Sequence, residues 1–184
     1  PIAPEPGTHH WFLGTGMVHG VRLRGGRAEW YRRRFVRDDE IALAKGWPEV
    51  PGPRPEFALG GGVANTHVIA HGGRTLALVE GGNYPVELDF ELETVARSDF
   101  GGSFGGGFAA HSKRDPATGE LHAAVYSPVR DGIQVVVVGA DGRPLADFAL
   151  HTKGDEKIAT SAETLAQAVR EHGVLAMAVG NGPG

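Results

Sequence analysis

The 184-residue sequence contains no cysteine, which excludes a disulfide framework and any metal site built on thiolate ligands. It also shows no positively charged start followed by an apolar core, and no run of about 18 or more apolar residues. These absences argue against a secretory signal and a membrane-spanning helix. We therefore expect a soluble protein, and we place it in the cytoplasm, whose reducing conditions suit a chain without cysteine.

Positive charge is also in short supply, with 18 lysines and arginines against 22 aspartates and glutamates and a formal net charge of −4. This balance argues against a broad nucleic-acid-binding surface. The local exception is the run of arginines at positions 32–34, followed by Arg37. Such a run more often forms the solvated face of a strand than a phosphate site. We expect no nucleic-acid partner.

Glycine, by contrast, is abundant, with 29 residues against an average usage of about 7%. Most of these glycines stand in pairs or triplets between short apolar runs, where turns require a positive φ. The clusters are Gly25-Gly26, Gly60-Gly61-Gly62, Gly72-Gly73, Gly81-Gly82, Gly101-Gly102 and Gly105-Gly106-Gly107. We interpret them as turns between strands and not as a flexible linker.

Four pairs of short apolar runs predict β-hairpins. The first pair, GMVHGVRLR and RAEWYRRRFVR, turns at Gly25-Gly26, and the second, within THVIAHGGRTLALVEGG, turns at Gly72-Gly73. The third, within GGFAAHSKRDPATGELHAAVYSP, turns at residues 115–119, and the fourth turns at residues 140–142. Repeated short hairpins favour an all-β architecture, either a sandwich or a propeller.

Three segments depart from this pattern. Residues 38–61 are rich in proline after Trp47 and predict a loop preceded by one helical turn, and residues 85–102 predict a connecting strand. The run SAETLAQAVREHG predicts a short helix of about 10 residues near the C-terminus. Ser161 is its expected N-cap, and Gly173 is expected just beyond its end.

The spacing of the histidines does not define a metal site. His9 and His10 are adjacent, so on a strand they point to opposite faces and cannot chelate together. Four others are interpreted as hydrogen-bonded hairpin residues: His19, His67, His71 and His122. His111 follows two alanines at the end of an expected strand, just before a tight reversal. On these residues alone, a structural histidine is the simpler interpretation.

Three blocks of the sequence nevertheless resemble, in order, the first part of the carotenoid cleavage oxygenases. They are HWFLGTGMVHGVRLRGGRAEWYRRRFVRD, ANTHVIAHGGRTLALVEGGNYPVEL and GGFAAHSKRDPATGELHAAVYSP. The similarity extends over about residues 10–148, whereas residues 149–184 diverge. We therefore treat residues 1–184 as one partial domain that is similar to this family.

The resemblance implies a fold, a cofactor and a reaction. The implied fold is part of a seven-bladed β-propeller, and the implied cofactor is a non-haem Fe(2+) held on the propeller axis by four histidines. Such enzymes use O2 to cleave a conjugated C=C bond of a carotenoid, apocarotenoid or stilbene, which yields two carbonyl products. The apolar polyene or stilbene is thus the expected partner, with peripheral membrane contact expected only of a full-length member.

The resemblance also assigns two site residues. The family's first iron ligand stands in a block like AHSKRDPATGE, so this role falls to His111. The carboxylate of the LALVEGG block, which hydrogen-bonds an iron ligand, corresponds to Glu80. The chemistry agrees, because imidazole suits iron and a ligating ring usually donates its other N–H to a carboxylate or carbonyl.

The family's second iron histidine has no matching block, and His172 and His151 are the weak candidates for that role. The chain resembles an N-terminal fragment, either truncated or frame-shifted, and we expect it to be inactive in isolation because one histidine is too few to hold catalytic iron. The alternative is a non-catalytic β-domain, or a remnant, that binds an apolar ligand or none.

Overall fold

The computed structural model describes residues 6–7, 14–54, 60–102, 104–105, 107–126, 131–151 and 153–171. Within these ranges the chain forms strands, two helices and a short 3-10 turn at Gly60–Gly62. The strands are β1 (Met17–Arg24), β2 (Arg27–Phe35), β3 (His67–His71), β4 (Arg74–Leu78), β5 (Val86–Leu88), β6 (Thr94–Arg97), β7 (Lys113–Arg114), β8 (Leu121–Tyr126), β9 (Ile133–Val138) and β10 (Pro144–Leu150). The helices are α1 (Asp39–Lys45) and α2 (Asp155–Glu171).

The described strands form three antiparallel sheets. The first sheet is the β1-β2 hairpin, the second has the order β3-β4-β5-β6, and the third has the order β10-β9-β8-β7. Neighbours in space are neighbours in sequence, so each four-stranded sheet is a meander. The four predicted hairpins and the mainly β architecture are confirmed, while the seven-bladed propeller remains a prediction.

The connecting strand expected within residues 85–102 is in fact two strands, β5 and β6, which complete the second sheet. The Asp89 carboxylate organises the turn between them by accepting the backbone N–H groups of Glu91 and Glu93, at 2.8 and 2.9 Å. Leu92 takes a left-handed conformation there, with a φ of +64°. Leucine here adopts a conformation that is typical of glycine, so no glycine marks this turn in the sequence.

The second sheet is covered on both faces, because successive residues of β4 point to opposite sides. One core cluster joins β4 to β8 and β9 of the third sheet, and its buried strand residues are Leu76, Leu78, Leu121, Ala123, Val125, Val136 and Val138. A second cluster joins the other face to the first sheet, and its buried members are Val18, Val36, Ala64, Ala77, Val86 and Leu88. The fold is therefore layered, with the second sheet in the middle.

Three phenylalanines from the glycine-rich segment complete the first of these clusters. The ring centroids of Phe100 and Phe104 lie 5.5 Å apart and those of Phe100 and Phe108 lie 5.1 Å apart. All three rings are buried, with at most 3% of each residue exposed. The segment is thus an anchored connection that leads the chain from the second sheet towards the third.

The α1 helix is longer than the single turn expected from the sequence. Asp38 is its N-cap and accepts the N–H of Ile41 at 2.8 Å, and Gly46 ends the helix in the left-handed conformation with a φ of +64°. An aspartate N-cap and a C′ glycine are the usual boundaries of a helix. Because the residues that follow are rich in proline, the composition of this segment predicted mainly a loop and only one helical turn.

The α2 helix begins at Asp155, so the predicted N-cap at Ser161 is wrong. Ser161 lies inside the helix and is buried, and its hydroxyl accepts the backbone N–H of His151 at 2.7 Å. Asp155 and Glu156 suit the first turn because acidic side chains there favour the helix dipole. Gly173 lies outside the described residues. No helix in the described ranges is long and apolar enough to span a membrane.

Candidate metal centre

Glu80 approaches the candidate site from the second sheet. It follows the last residue of β4 by two positions, and its side chain is about one quarter exposed, at 23%. The preceding strand residues Leu76 and Leu78 are buried in the core shared with the third sheet. This packing fixes the backbone from which the Glu80 carboxylate extends.

His111 approaches from the segment that leads into the third sheet. The structure places it in a turn two residues before the short strand β7, and not at the end of a strand as the sequence predicted. Ala109 and Ala110 are buried in the core and have an irregular backbone. The Nδ1–H group of His67 on β3 donates to the carbonyl of Ala110 at 3.0 Å, which anchors the residue directly before His111.

The two predicted site residues contact each other directly. One carboxylate oxygen of Glu80, Oε1, accepts the backbone N–H of His111 at 3.0 Å and also contacts the Nδ1 atom of its ring. Because a carboxylate oxygen accepts, Nδ1 carries the proton and the lone pair is left on Nε2. The His111 side chain is 74% exposed, so Nε2 is accessible to a cation.

Two loops are held together behind this pair. The N–H of Phe108 donates to the carbonyl of Asn83 at 2.9 Å, and the Asn83 side chain donates to the carbonyl of Val63 at 3.1 Å. Gly107 has a φ of +84°, and a Cβ atom there would lie 1.9 Å from the carbonyl oxygen of Gly82. Only glycine allows so close an approach, which brings the chain after Glu80 against the chain before His111.

A third side chain lies near this pair, and sequence reasoning missed it. Tyr126 is the last residue of β8, and its phenol lies near the Glu80 carboxylate. Partial burial, followed by the charge of Glu80, raises the pKa of this phenol. The two-residue alternation of β8 assigns Tyr126 to the face opposite the core, but only the packing of two sheets brings it to Glu80.

The other described histidines form contacts away from the Glu80–His111 pair. The Nε2–H group of the buried His71 donates to the carbonyl of Gly139 at 2.8 Å, which links β3 to the β9-β10 turn. His19 Nδ1 lies 2.6 Å from the hydroxyl of Tyr31, and His122 lies 3.4 Å from the Glu120 carboxylate. The hydrogen-bonded roles predicted for His19, His67 and His71 are confirmed, whereas that of His122 stays a prediction. His9 and His10 lie outside the described residues.

The candidates for a second ligand are not brought to this site by the described structure. Among the described residues, no three histidine, aspartate or glutamate side chains are close enough to hold a metal ion, so His151 does not form such a group with His111 and Glu80. His151 instead lies just after β10, beside Ser161. His172 is outside the described residues.

The donor set fits one ligand of a non-haem iron centre. Its features are an exposed imidazole side chain and a carboxylate at Nδ1, which leaves Nε2 on the other side of the ring for a metal. The same arrangement falls short of a complete centre, because even the two-histidine, one-carboxylate type needs three protein ligands. The described residues are therefore compatible with one ligand of a metal site and do not form a complete one.

Comparison with known proteins identifies the family. A family model described as retinal pigment epithelial membrane protein, RPE65, matches residues 1–165. This match extends over most of the chain, which therefore belongs to the RPE65 family of carotenoid oxygenases. The family resemblance inferred from three sequence blocks is thus confirmed.

Individual relatives agree with this assignment. A carotenoid cleavage oxygenase of Mycobacterium tuberculosis is 50% identical over 144 residues, which is 77% of this chain and 29% of that protein. Carotenoid 9,10(9',10')-cleavage dioxygenase 1 of Phaseolus vulgaris is 31% identical over 77% of this chain and 31% of its own length. A cobalt-substituted apocarotenoid oxygenase of Synechocystis is 25% identical, with a TM-score of 0.58, over 79% of this chain and 35% of that structure. The chain thus spans about a third of the length of these relatives.

Proposed function

We propose that this chain supplies one metal ligand, His111, and its partner carboxylate, Glu80, to a non-haem iron dioxygenase. The proposed substrate is a carotenoid, apocarotenoid or stilbene, whose conjugated C=C bond is cleaved with O2 to give two carbonyl products. The observation that carries the proposal is the contact of one Glu80 oxygen with both N–H groups of His111. Membership of the RPE65 family supports the choice of chemistry.

Bound Fe(2+) would supply the redox chemistry for O2-dependent cleavage. The described residues would bind the iron through His111 and would orient the ring of this ligand. Glu80 holds the Nδ1–H of His111, which fixes the tautomer and the direction of the Nε2 lone pair. His67 and the loop contact at Gly107 fix the backbone on which the ring is carried. The 74% exposure of the His111 side chain leaves room for further ligands.

The remaining ligands must come from residues beyond the described ranges or from another chain, since one imidazole does not retain catalytic iron. His172, which lies outside the described ranges, stays a candidate for this role, whereas His151 is a candidate only if the site is rearranged when metal binds. We infer that the isolated 184-residue chain does not turn over substrate.

The finer predictions of fold and surroundings belong to the same proposal. Four-stranded antiparallel meanders are typical of propeller blades, and we infer that the second and third sheets are blades of a seven-bladed β-propeller. We place the protein in the cytoplasm. We propose no nucleic-acid partner, because the net charge of −4 argues against a broad nucleic-acid-binding surface. Peripheral membrane contact is proposed only for a full-length enzyme that takes up an apolar polyene.

The test uses a chimera in which the matching part of this chain, 77% of its length, replaces the corresponding 144-residue segment of the Mycobacterium tuberculosis relative. Iron is measured by mass spectrometry in the chimera and in its His111→Ala and His122→Ala variants. His122 is the matched control because it also pairs with a carboxylate, that of Glu120. We expect about one iron per chain in the chimera and the control, and loss of iron and of carotenoid cleavage in His111→Ala.

Iron retained in His111→Ala would contradict the ligand role. The same measurement on the isolated chain tests whether the described half-site binds iron alone, and we expect it to be iron-free. A chimera that holds iron and binds a carotenoid without cleaving it would favour the non-catalytic alternative.

A further inference from the structure

A cavity of about 420 Å³ lies between three hairpin turns of the second and third sheets. The β3-β4 turn contributes Gly72 and Gly73, the β7-β8 turn contributes Gly119, and the β9-β10 turn contributes Ala140. Glu80 follows the far end of β4, so the cavity lies at the opposite end of this hairpin from the candidate metal centre.

Two arginines line this cavity without a carboxylate partner. They are Arg74, the first residue of β4, and Arg114, the last residue of β7. Within the described part of the chain neither guanidinium forms an ion pair, whereas Arg54 and Arg97 both pair with Asp39. None of the described residues that line the cavity is acidic. The cavity therefore carries two positive charges that no neighbouring carboxylate neutralises.

The acidic residues of the surrounding turns are engaged in their own backbone. Asp115 accepts the N–H of Ala117 at 2.7 Å, and Asp141 accepts the N–H of Arg143 at 3.0 Å. Such local contacts are typical of aspartates that shape a turn. These carboxylates stabilise the walls of the cavity and do not neutralise its two arginines.

Both guanidinium groups are held in place and keep donors to spare. Arg74 donates to the hydroxyl of Ser98 at 2.9 Å and to the carbonyl of Gly142 at 3.0 Å, and Arg114 donates to the carbonyl of Ala70. A guanidinium has five N–H donors, of which these contacts use two on Arg74 and one on Arg114. Because the arginines are already oriented, a ligand would lose little affinity to the ordering of their side chains.

We propose that this cavity binds the phosphate group of a small, soluble phosphate monoester. Guanidinium groups bind phosphate oxygens through parallel hydrogen bonds, and a phosphate monoester carries a charge of about −1.5 to −2 at neutral pH. This charge matches that of Arg74 and Arg114 together, whereas a monocarboxylate would neutralise only one of them. A volume of about 420 Å³ falls in the range of small-molecule sites, about 300–1,000 Å³, so the cavity has room for more than the phosphate itself.

The test is a titration of the full 184-residue chain with inorganic phosphate and with glycerol 3-phosphate, followed by amide 1H and 15N chemical shifts at constant ionic strength. We expect saturable shifts that concentrate at Gly72, Gly73 and Gly119. Glycerol 3-phosphate should bind more tightly than inorganic phosphate because it fills more of the cavity. Acetate, a monoanion, should bind at least about tenfold more weakly than either, since one arginine would stay unpaired.

Arg114→Gln should raise the Kd of glycerol 3-phosphate by about tenfold or more, because a charged donor is lost. Arg114 is exposed, so the variant should keep its fold. Lys113→Gln is the matched control, since Lys113 is the preceding residue of β7, is also exposed and does not line the cavity. It removes the same charge and should change the Kd by no more than about twofold, because a solvated charge outside the cavity is screened.

An unchanged Kd in Arg114→Gln, or an equal rise in Lys113→Gln, would overturn the site. Acetate binding as tight as that of glycerol 3-phosphate would contradict the match of charge. Vesicles of phosphatidylcholine with phosphatidic acid present the same phosphate group on a membrane. Binding to these vesicles without binding of glycerol 3-phosphate would contradict a soluble ligand.

Discussion

At the scale of single residues, two adjacent aspartates experience opposite environments. Asp38 is 1% exposed, and its Oδ2 atom has no hydrogen-bond partner in the described structure. Burial raises the pKa of Asp38 from 3.8 to about 6. Asp39 instead pairs with Arg54 and Arg97, and the hydrogen bond from Arg54 lowers its pKa. The two carboxyl groups should therefore respond to pH in opposite directions.

Asp38→Asn should raise the free energy of unfolding at neutral pH. Because the pKa of Asp38 is about 6 in the fold and 3.8 as its ordinary value, its protonated form stabilises the fold, and this contribution is lost as the pH rises through 6. Asparagine keeps the Oδ1 acceptor for Ile41 and carries no charge. The gain above pH 7 should be at most about 3 kcal/mol and should vanish below about pH 4. Urea denaturation at several pH values checks this.

Asp39→Asn is the matched control and should behave in the opposite sense. Its lowered pKa means that the carboxylate stabilises the fold above its ordinary pKa and that this contribution is lost as the pH falls. The variant should therefore be less stable than wild type at neutral pH, with a difference that shrinks in acid. Equal pH profiles for the two variants would show that burial does not set the pKa of Asp38.

At the scale of elements, the loop carrying His111 depends on one glycine. Gly107→Ala should lower the free energy of unfolding by about 3 kcal/mol, because its Cβ would lie 1.9 Å from the Gly82 carbonyl and its φ of +84° disfavours alanine. Thermal denaturation measures the loss. Gly105→Ala is the control from the same segment, since nothing lies within 4 Å of its Cβ position. Equal stability of the two variants would contradict the close packing of the two loops.

The elements that could be predicted are those whose boundaries carry a local signal. The hairpin turns at Gly25-Gly26 and Gly72-Gly73 require a positive φ that glycine provides, and both form as expected. The β5-β6 turn escaped prediction because Leu92 adopts that conformation without glycine. The start of α2 escaped because the Ser161 hydroxyl binds the backbone of His151 instead of capping a helix.

At the scale of the whole molecule, two core clusters connect the second sheet to the first and to the third. Leu78→Ala should lower the free energy of unfolding by about 3 kcal/mol, since Leu78 is 1% exposed and belongs to the cluster that joins the second and third sheets. Val68→Ala on the adjacent strand should change it by no more than about 0.5 kcal/mol, because Val68 is 43% exposed. Urea denaturation followed by circular dichroism and tryptophan fluorescence measures both values. If the unfolding transitions of the wild type followed by circular dichroism and by tryptophan fluorescence do not coincide, the core clusters do not make the sheets unfold together.

The assembly of the sheets is the part that local sequence patterns do not encode. His111 and Glu80 could be predicted through the family resemblance, although their mutual contact could not. Tyr126 could not be predicted, because its position near Glu80 depends on how two sheets separated along the chain pack together. Contacts such as that of His71 with the Gly139 carbonyl, 68 residues apart, determine this packing.

The contacts between Glu80 and His111 join the second sheet to the segment that leads into the third sheet. The acceptor, Glu80, lies between β4 and β5 of the second sheet, whereas the donor, His111, lies two residues before β7 of the third sheet. The ring orientation of His111 therefore depends on the alignment of the two sheets. It is correct only when both sheets pack against their common core. By the same linkage, a cation that binds the oriented ring would stabilise the packed arrangement and make separation of the sheets less favourable.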